Sequence, residues 1–151
     1  MTEDGILVHN GYGELRITDE RHKELRALSP SQEIRLAVNE DIALPMKDPA
    51  LPGLDITSNL HADHIVPLKK TIRMEGFEKL TKEQQLEVLN NRDNFMGLSP
   101  SANTSKGSKT YEEWTEHKGK GIPVDPKFRE EMMKREKELE VQLQKQIDEF
   151  L

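Results

Sequence analysis

The chain has 151 residues, no cysteine and a net charge of −6 at pH 7, with 34% apolar and 33% charged side chains. That size fits one domain, or one domain plus an extension, around a lean core. The missing cysteine excludes disulfides, thiolate zinc sites and a cysteine nucleophile, and no apolar run approaches the roughly 18 residues of a membrane span. The acidic balance argues mildly against a nucleic-acid partner, but it is uneven. Residues 1–60 carry 6 basic and 11 acidic side chains, residues 61–124 carry 10 and 9, and residues 125–151 carry 6 and 8. In the middle stretch Lys69, Lys70, Arg73, Lys106, Lys109, Lys118 and Lys120 could form a local phosphate-binding surface; read singly, each is an ordinary solvated cation.

The opening residues, MTEDGILVHNGYGELR, have no basic region followed by an apolar block, so no secretory signal is expected. Residues 18–28, TDERHKELRAL, read as a short helix. Ser29 is expected to cap a second one, with Pro30 at its first position, Gln32 three residues after the cap, and Ile34, Leu36, Ala37 and Val38 as its apolar positions. Residues 44–59 hold three prolines and a glycine and read as a loop. Residues 60–66 read as a short strand, and LTKEQQLEVL as a helix opened by a Thr81–Gln84 capping box. A second short strand is expected over 94–98. Ser99-Pro100 then opens a helix, as does Asp125-Pro126, whose helix is expected to run over 125–151. Phe128, Met132, Leu139, Leu143, Ile147 and Phe150 give this last helix a stripe near a 3–4 spacing, suited to packing on the domain or on a partner. The chain thus divides into an N-terminal helical segment and loop (1–58), a site-bearing core (59–124) and a C-terminal helix (125–151), an α+β and mostly helical fold.

The stretch NLHADHIVPLKK, residues 59–70, places His61, Asp63 and His64 in one short strand, where such groups need partners. The stretch NRDNFMGLSPSANTSKGSK, residues 91–109, supplies candidates. Asn94 is a poor strand former that can hydrogen-bond a loop, and Asn103 falls in the first turn of the next helix. Two strands and a helix would make a compact cradle in which Asp63 and Asn103 offer two oxygens to one divalent cation, magnesium or manganese by ligand type. His64, beside a ligand, would then take a proton from an attacking water.

These residues, DHIVPL followed by DNFMGLSPSANTSKG, resemble the HNH (ββα-metal) endonucleases. The resemblance implies a small ββα-metal core with a helical insertion. It makes Asp63 a metal ligand, His64 the general base, Asn94 the loop-bracing asparagine and Asn103 the second protein ligand, in the position where other members carry histidine. The wider run from LHADHIVPLKK to SANTSKGSKTYEEW, about residues 59–118, is similar to the C-terminal nuclease domains of bacterial polymorphic toxins. Three features depart from the HNH pattern without removing a catalytic position. Ser99 and Ala102 occupy positions where many members carry a zinc-binding knuckle, the insertion between the strands is long and helical, and the chain is acidic.

The implied function is metal-dependent hydrolysis of DNA phosphodiesters with little sequence preference, as the effector domain of a toxin used in interbacterial competition. Its cofactor would be one divalent ion, magnesium or manganese, with zinc or nickel as alternatives. Its partners would be DNA and a cognate immunity protein. Its route would be export by a specialised secretion system into the target-cell cytoplasm. His61 would be a third ligand or a phosphate contact, and Lys69, Lys106 and Lys109 would touch nucleic acid, with Lys106 at a helix start where backbone N–H groups also favour anions. An RNase using the same site and a non-enzymatic, metal-stabilised interaction domain are the alternatives. His9, His22 and His117 read as surface or structural, and Tyr111 and Trp114, at i and i+3, as packing.

Overall fold

Thr18 accepts a hydrogen bond from the Arg21 N–H at 3.0 Å and opens α1 (Asp19–Leu28), whose first turn carries the carboxylates of Asp19 and Glu20 at the positive end of the helix. The computed structural model describes residues 14–151; His9 and the leader reading lie outside the described residues. The second helix, α2 (Gln32–Ala37), is capped by Ser31 rather than Ser29. The expected cap is displaced because the Ser29 hydroxyl turns away from the helix, towards the Leu89 carbonyl and Asn90. Of the four apolar positions expected on α2, Ile34 is buried while Leu36 is 61% exposed.

Residues 44–59 are not wholly loop. They fold back as a two-residue ladder, β1 (Met46–Lys47) against β2 (Asp55–Ile56). Asp48 anchors the bend: its Oδ1 accepts from the N–H groups of Ala50 and Leu51, and its Oδ2 accepts from Ser99 Oγ at 2.6 Å. Next comes β3 (His61–His64), which pairs antiparallel with β4 (Phe95–Leu98) in the register His61 with Leu98 and His64 with Phe95. Between these strands run α3 (Leu68–Thr71) and α4 (Lys82–Leu89), the latter opened by the expected Thr81–Gln84 capping box. α5 (Pro100–Lys106) follows β4 directly, capped by the Ser99 hydroxyl on Ala102 N–H with Pro100 at its first position. A small ladder that the sequence reading missed, β5 (Glu116–His117) with β6 (Ile122–Pro123), leads to α6 (Pro126–Phe150).

The architecture is therefore mixed α and β, with small antiparallel sheets and a long C-terminal helix. At 25 residues α6 spans about 38 Å. Its Met132, Leu139, Leu143 and Ile147 are buried on the domain itself, in one cluster with Leu25, Leu51, Ile65, Phe77, Leu98 and Trp114. That cluster draws on all three stretches of the chain, so the N-terminal segment and α6 share a core with the strands. No helix among the described residues is long and apolar enough to cross a membrane.

The stripe on α6 contains one carboxylate. Glu136 is 5% exposed and accepts a hydrogen bond from the Tyr111 N–H at 3.3 Å. Burial pushes its carboxyl up to about 7, against the pull of that N–H and of Lys106 and Lys70. A carboxyl that holds its proton more tightly in the folded chain costs no stability below about pH 4.5. The cost then grows as pH rises to 7 and is complete above it. Glu136→Gln keeps an acceptor for Tyr111 and removes the charge. It is expected to raise the urea-denaturation free energy by about 2–3 kcal/mol at pH 8 and to leave it unchanged at pH 4. An equal effect at both pH values would mean that packing, not charge, governs this position.

Candidate functional site

Successive side chains of β3 alternate between its two faces, so His61 and Asp63 share one and Ala62 and His64 the other. The turn that leaves this strand is held by Asn94, which ends a short 3₁₀ turn (Arg92–Asn94) just before β4. Its side-chain oxygen accepts from Val66 N–H at 2.8 Å, its amide donates to Val66 O at 3.1 Å, and its own carbonyl accepts from Ile65 N–H at 2.9 Å. Asn94 is 1% exposed. It braces the loop after His64, the structural part of the role expected for it.

Asp63 lies 5% exposed beneath the ladder. Lys106 Nζ stands 3.2 Å from both of its oxygens, and the Tyr111 hydroxyl donates to Oδ2 at 3.1 Å. The same ammonium reaches the His64 carbonyl at 3.4 Å and sits 4.6 Å over the Tyr111 ring. Burial pushes the Asp63 carboxyl up, and Lys106 and Tyr111 oppose it. The Tyr111 phenol is raised well above its ordinary range by burial and by Asp63, so it remains a donor. Lys106 must be corrected: it occupies the last turn of α5, not the first, and is fully buried, so its charge serves Asp63 rather than a surface phosphate.

His64 packs its ring 4.5 Å from that of Phe95, with Nε2 at 2.9 Å from Ser29 Oγ. Burial lowers its pKa to about 4, opposed by the Leu89 carbonyl and reinforced by Lys106 and Arg26. The imidazole is therefore neutral at physiological pH, the form that can accept a proton.

A cleft of about 320 Å³ collects Asp63, His64 and Asn103 in its wall, with Arg26, Lys69 and Ser108. A second, of about 410 Å³, adjoins it across Ala62 and Asn103 and is lined by Arg35, Asn39 and His61. His61 is exposed, with Nδ1 at 3.4 Å from Asn103 Nδ2. The Asn103 oxygen has no hydrogen bond to another described residue. A carboxylate has about four acceptor positions; the hydrogen bonds of Lys106 and Tyr111 take one on each oxygen of Asp63, and the Lys106 ammonium also lies 3.2 Å from Oδ2. By chemistry the Asp63 carboxylate and the Asn103 carboxamide are both oxygen donors of the kind that magnesium or manganese takes. Among the described residues no group of three or more His, Asp or Glu side chains is gathered as a metal cluster, so any ion here relies on the carboxamide. Lys109 lies apart, lining a separate depression with Trp114, His117 and Lys118.

Three residues of this site were not among the sequence candidates for it. Arg26 lies in a stretch without a motif, and Ser29 carried only the signal of a helix cap. Tyr111 packs in the core with Trp114, as expected, yet its hydroxyl also reaches Asp63. No protein-family model, curated protein or solved structure matches the chain.

The Asp63–Lys106 pair has a measurable consequence. Removing one partner of a buried pair strands the other charge, at a cost of about 3–5 kcal/mol. Lys106→Met and Asp63→Asn should each destabilise strongly, and the double variant by less than their sum. A double-mutant cycle in urea is expected to give a coupling of about 2 kcal/mol or more; additive effects would mean that the two groups do not act as a pair.

Proposed function

We propose that the chain is a metal-dependent endonuclease of the HNH (ββα-metal) kind that hydrolyses DNA phosphodiester bonds with little sequence preference. The observation that carries this reading is the meeting of Asp63, Asn103 and a neutral His64 in one cleft, on two antiparallel strands and the helix that follows them. Asp63 and Asn103 would hold one divalent ion, magnesium or manganese, which when bound supplies positive charge to the phosphate. His64 takes the proton of the attacking water, since its neutral ring needs no prior deprotonation. Lys106 and Tyr111 hold the carboxylate of Asp63 in one orientation. Arg26 and Lys69 line the same cleft, where phosphate oxygens would meet them. Contacts of that kind carry no base information, hence the weak sequence preference. The toxin role, the immunity partner and the secretion route rest on the sequence resemblance alone.

One observation favours a non-enzymatic reading: Lys106 already neutralises Asp63, so the site is stable as a purely structural one. The deciding assay incubates the chain with supercoiled plasmid, linear duplex and total RNA, with magnesium, manganese, nickel or zinc, and with chelator. Plasmid nicking that requires metal and stops with chelator is expected. His64→Ala should keep the circular-dichroism spectrum and slow nicking by about 10²- to 10⁴-fold. Cleavage of RNA alone would transfer the reading to an RNase, and no cleavage under any metal would remove the enzyme reading.

Arg26 offers a second measurement. Arg26→Ala should weaken plasmid binding and lower the slope of log affinity against log salt by about one. An unchanged slope would place Arg26 outside the phosphate-contact set.

A further inference from the structure

We infer that Ser29 is a positioning residue that fixes His64 as its Nε2–H tautomer and leaves Nδ1 as the atom that accepts the proton. The purpose of this arrangement rests on the nuclease reading above; its geometry does not. Ser29 is 4% exposed, and its Oγ lies 2.9 Å from His64 Nε2, 2.7 Å from Asn90 Oδ1 and 3.1 Å from the Leu89 carbonyl oxygen.

The Asn90 amide has only one consistent orientation. Its Oδ1 also accepts from Ser31 N–H at 3.1 Å, and its Nδ2 donates to the Leu28 carbonyl at 3.2 Å. Turning it over would set donor against donor and oxygen against oxygen. Asn90 Oδ1 and the Leu89 carbonyl are thus both pure acceptors, and a serine hydroxyl has a single proton to offer. That proton goes to one of them, the nearer being Asn90. Only lone pairs of Ser29 then face His64, so the imidazole must donate from Nε2. In a neutral ring the lone pair is then on Nδ1. Among the described residues no side chain hydrogen-bonds Nδ1, it is not among the buried polar atoms left without a partner, and the ring lies in the wall of the cleft.

The latch lies outside the motif. Ser29 comes from the N-terminal segment, and Leu89 and Asn90 come from the end of α4 in the insertion between the strands. Both regions thereby contribute to the base, although neither bears a recognisable catalytic residue.

The test uses the full chain with nitrogen-15 labelled histidine. Long-range nitrogen–proton spectra of the wild type at neutral pH are expected to show His64 protonated at Nε2 alone. A proton on Nδ1, or a mixture of tautomers, overturns the inference. Ser29→Ala should release the ring to a mixture and lower kcat for plasmid nicking about 10-fold with KM nearly unchanged, as outer-shell losses do. Ser29→Thr, which keeps the hydroxyl, should restore both. A folded Ser29→Ala protein with the wild-type tautomer and kcat overturns the inference; if that variant fails to fold, the wild-type and Ser29→Thr spectra decide. The two readings fail separately. A chain with the Nε2–H tautomer that cuts nothing removes the nuclease reading and the catalytic purpose of the latch. A chain that cuts DNA with the other tautomer removes the latch alone.

Discussion

A carboxylate taken out of water must be met by cations and donors, and Asp63 imposes that requirement on everything around it. Lys106 answers it from the last turn of α5, which fixes how the helix lies against β3. Asn103 stands three residues earlier on that helix, hence on the same side, and the fixed helix brings it to the cleft that Asp63 lines. Tyr111 answers from the segment after α5. Its backbone N–H in turn meets Glu136 on α6, which joins the longest helix to the site through a chain of polar contacts. The network is expensive in isolation: it holds one ammonium and two carboxyls with at most 5% exposure. Its members keep one another tolerable, so the position of α6 and the position of the candidate ligand are set together.

His64 is governed by the opposite rule. Its ring is pressed on Phe95 with cations nearby, and burial keeps it uncharged. An uncharged imidazole still has two unlike nitrogens, and a base is useful only if the correct one faces outward. The ββα element alone does not settle this. Ser29 and Asn90 do, which gives the N-terminal segment and the insertion a reason to pack where they do. On this reading the long insertion, a departure from the family pattern in sequence, is part of what the site requires.

The legible parts of the sequence were those with local causes. Thr81 with Gln84, Ser99 with Pro100 and Asp125 with Pro126 announce helix starts because each cap is made within four residues. The stripe on α6 follows from helical period alone, and Asn94 was readable as a brace because asparagine is out of place at a strand start. What failed was decided by partners distant in sequence. Ser29 has every mark of a cap, yet its hydroxyl is drawn off by residues 60 and 61 positions away. Lys106 looks like a surface phosphate contact until a carboxylate 43 positions earlier claims it. The ladders β1–β2 and β5–β6 are two residues long on each side, too short for any alternation to register. Asp63, His64 and Asn103, grouped by residue type and by the HNH resemblance, line one cleft in the fold.

An acidic chain proposed to act on nucleic acid needs a physical account. Charge at a distance is screened over about 8–10 Å at ordinary ionic strength, so the net −6 chiefly reduces the rate of encounter and the general affinity for polyanions. Chemistry depends on the few groups at contact range. There the balance is different: Arg26 and Lys69 line the cleft, Arg35 lines its neighbour, and the one carboxylate in the wall is already neutralised from behind by Lys106. A phosphate entering this cleft meets positive charge without first meeting an uncompensated carboxylate. On the proposed reading, unfavourable long-range electrostatics with favourable local contact would leave the hold on a phosphate chain to a small number of side chains rather than to a basic face.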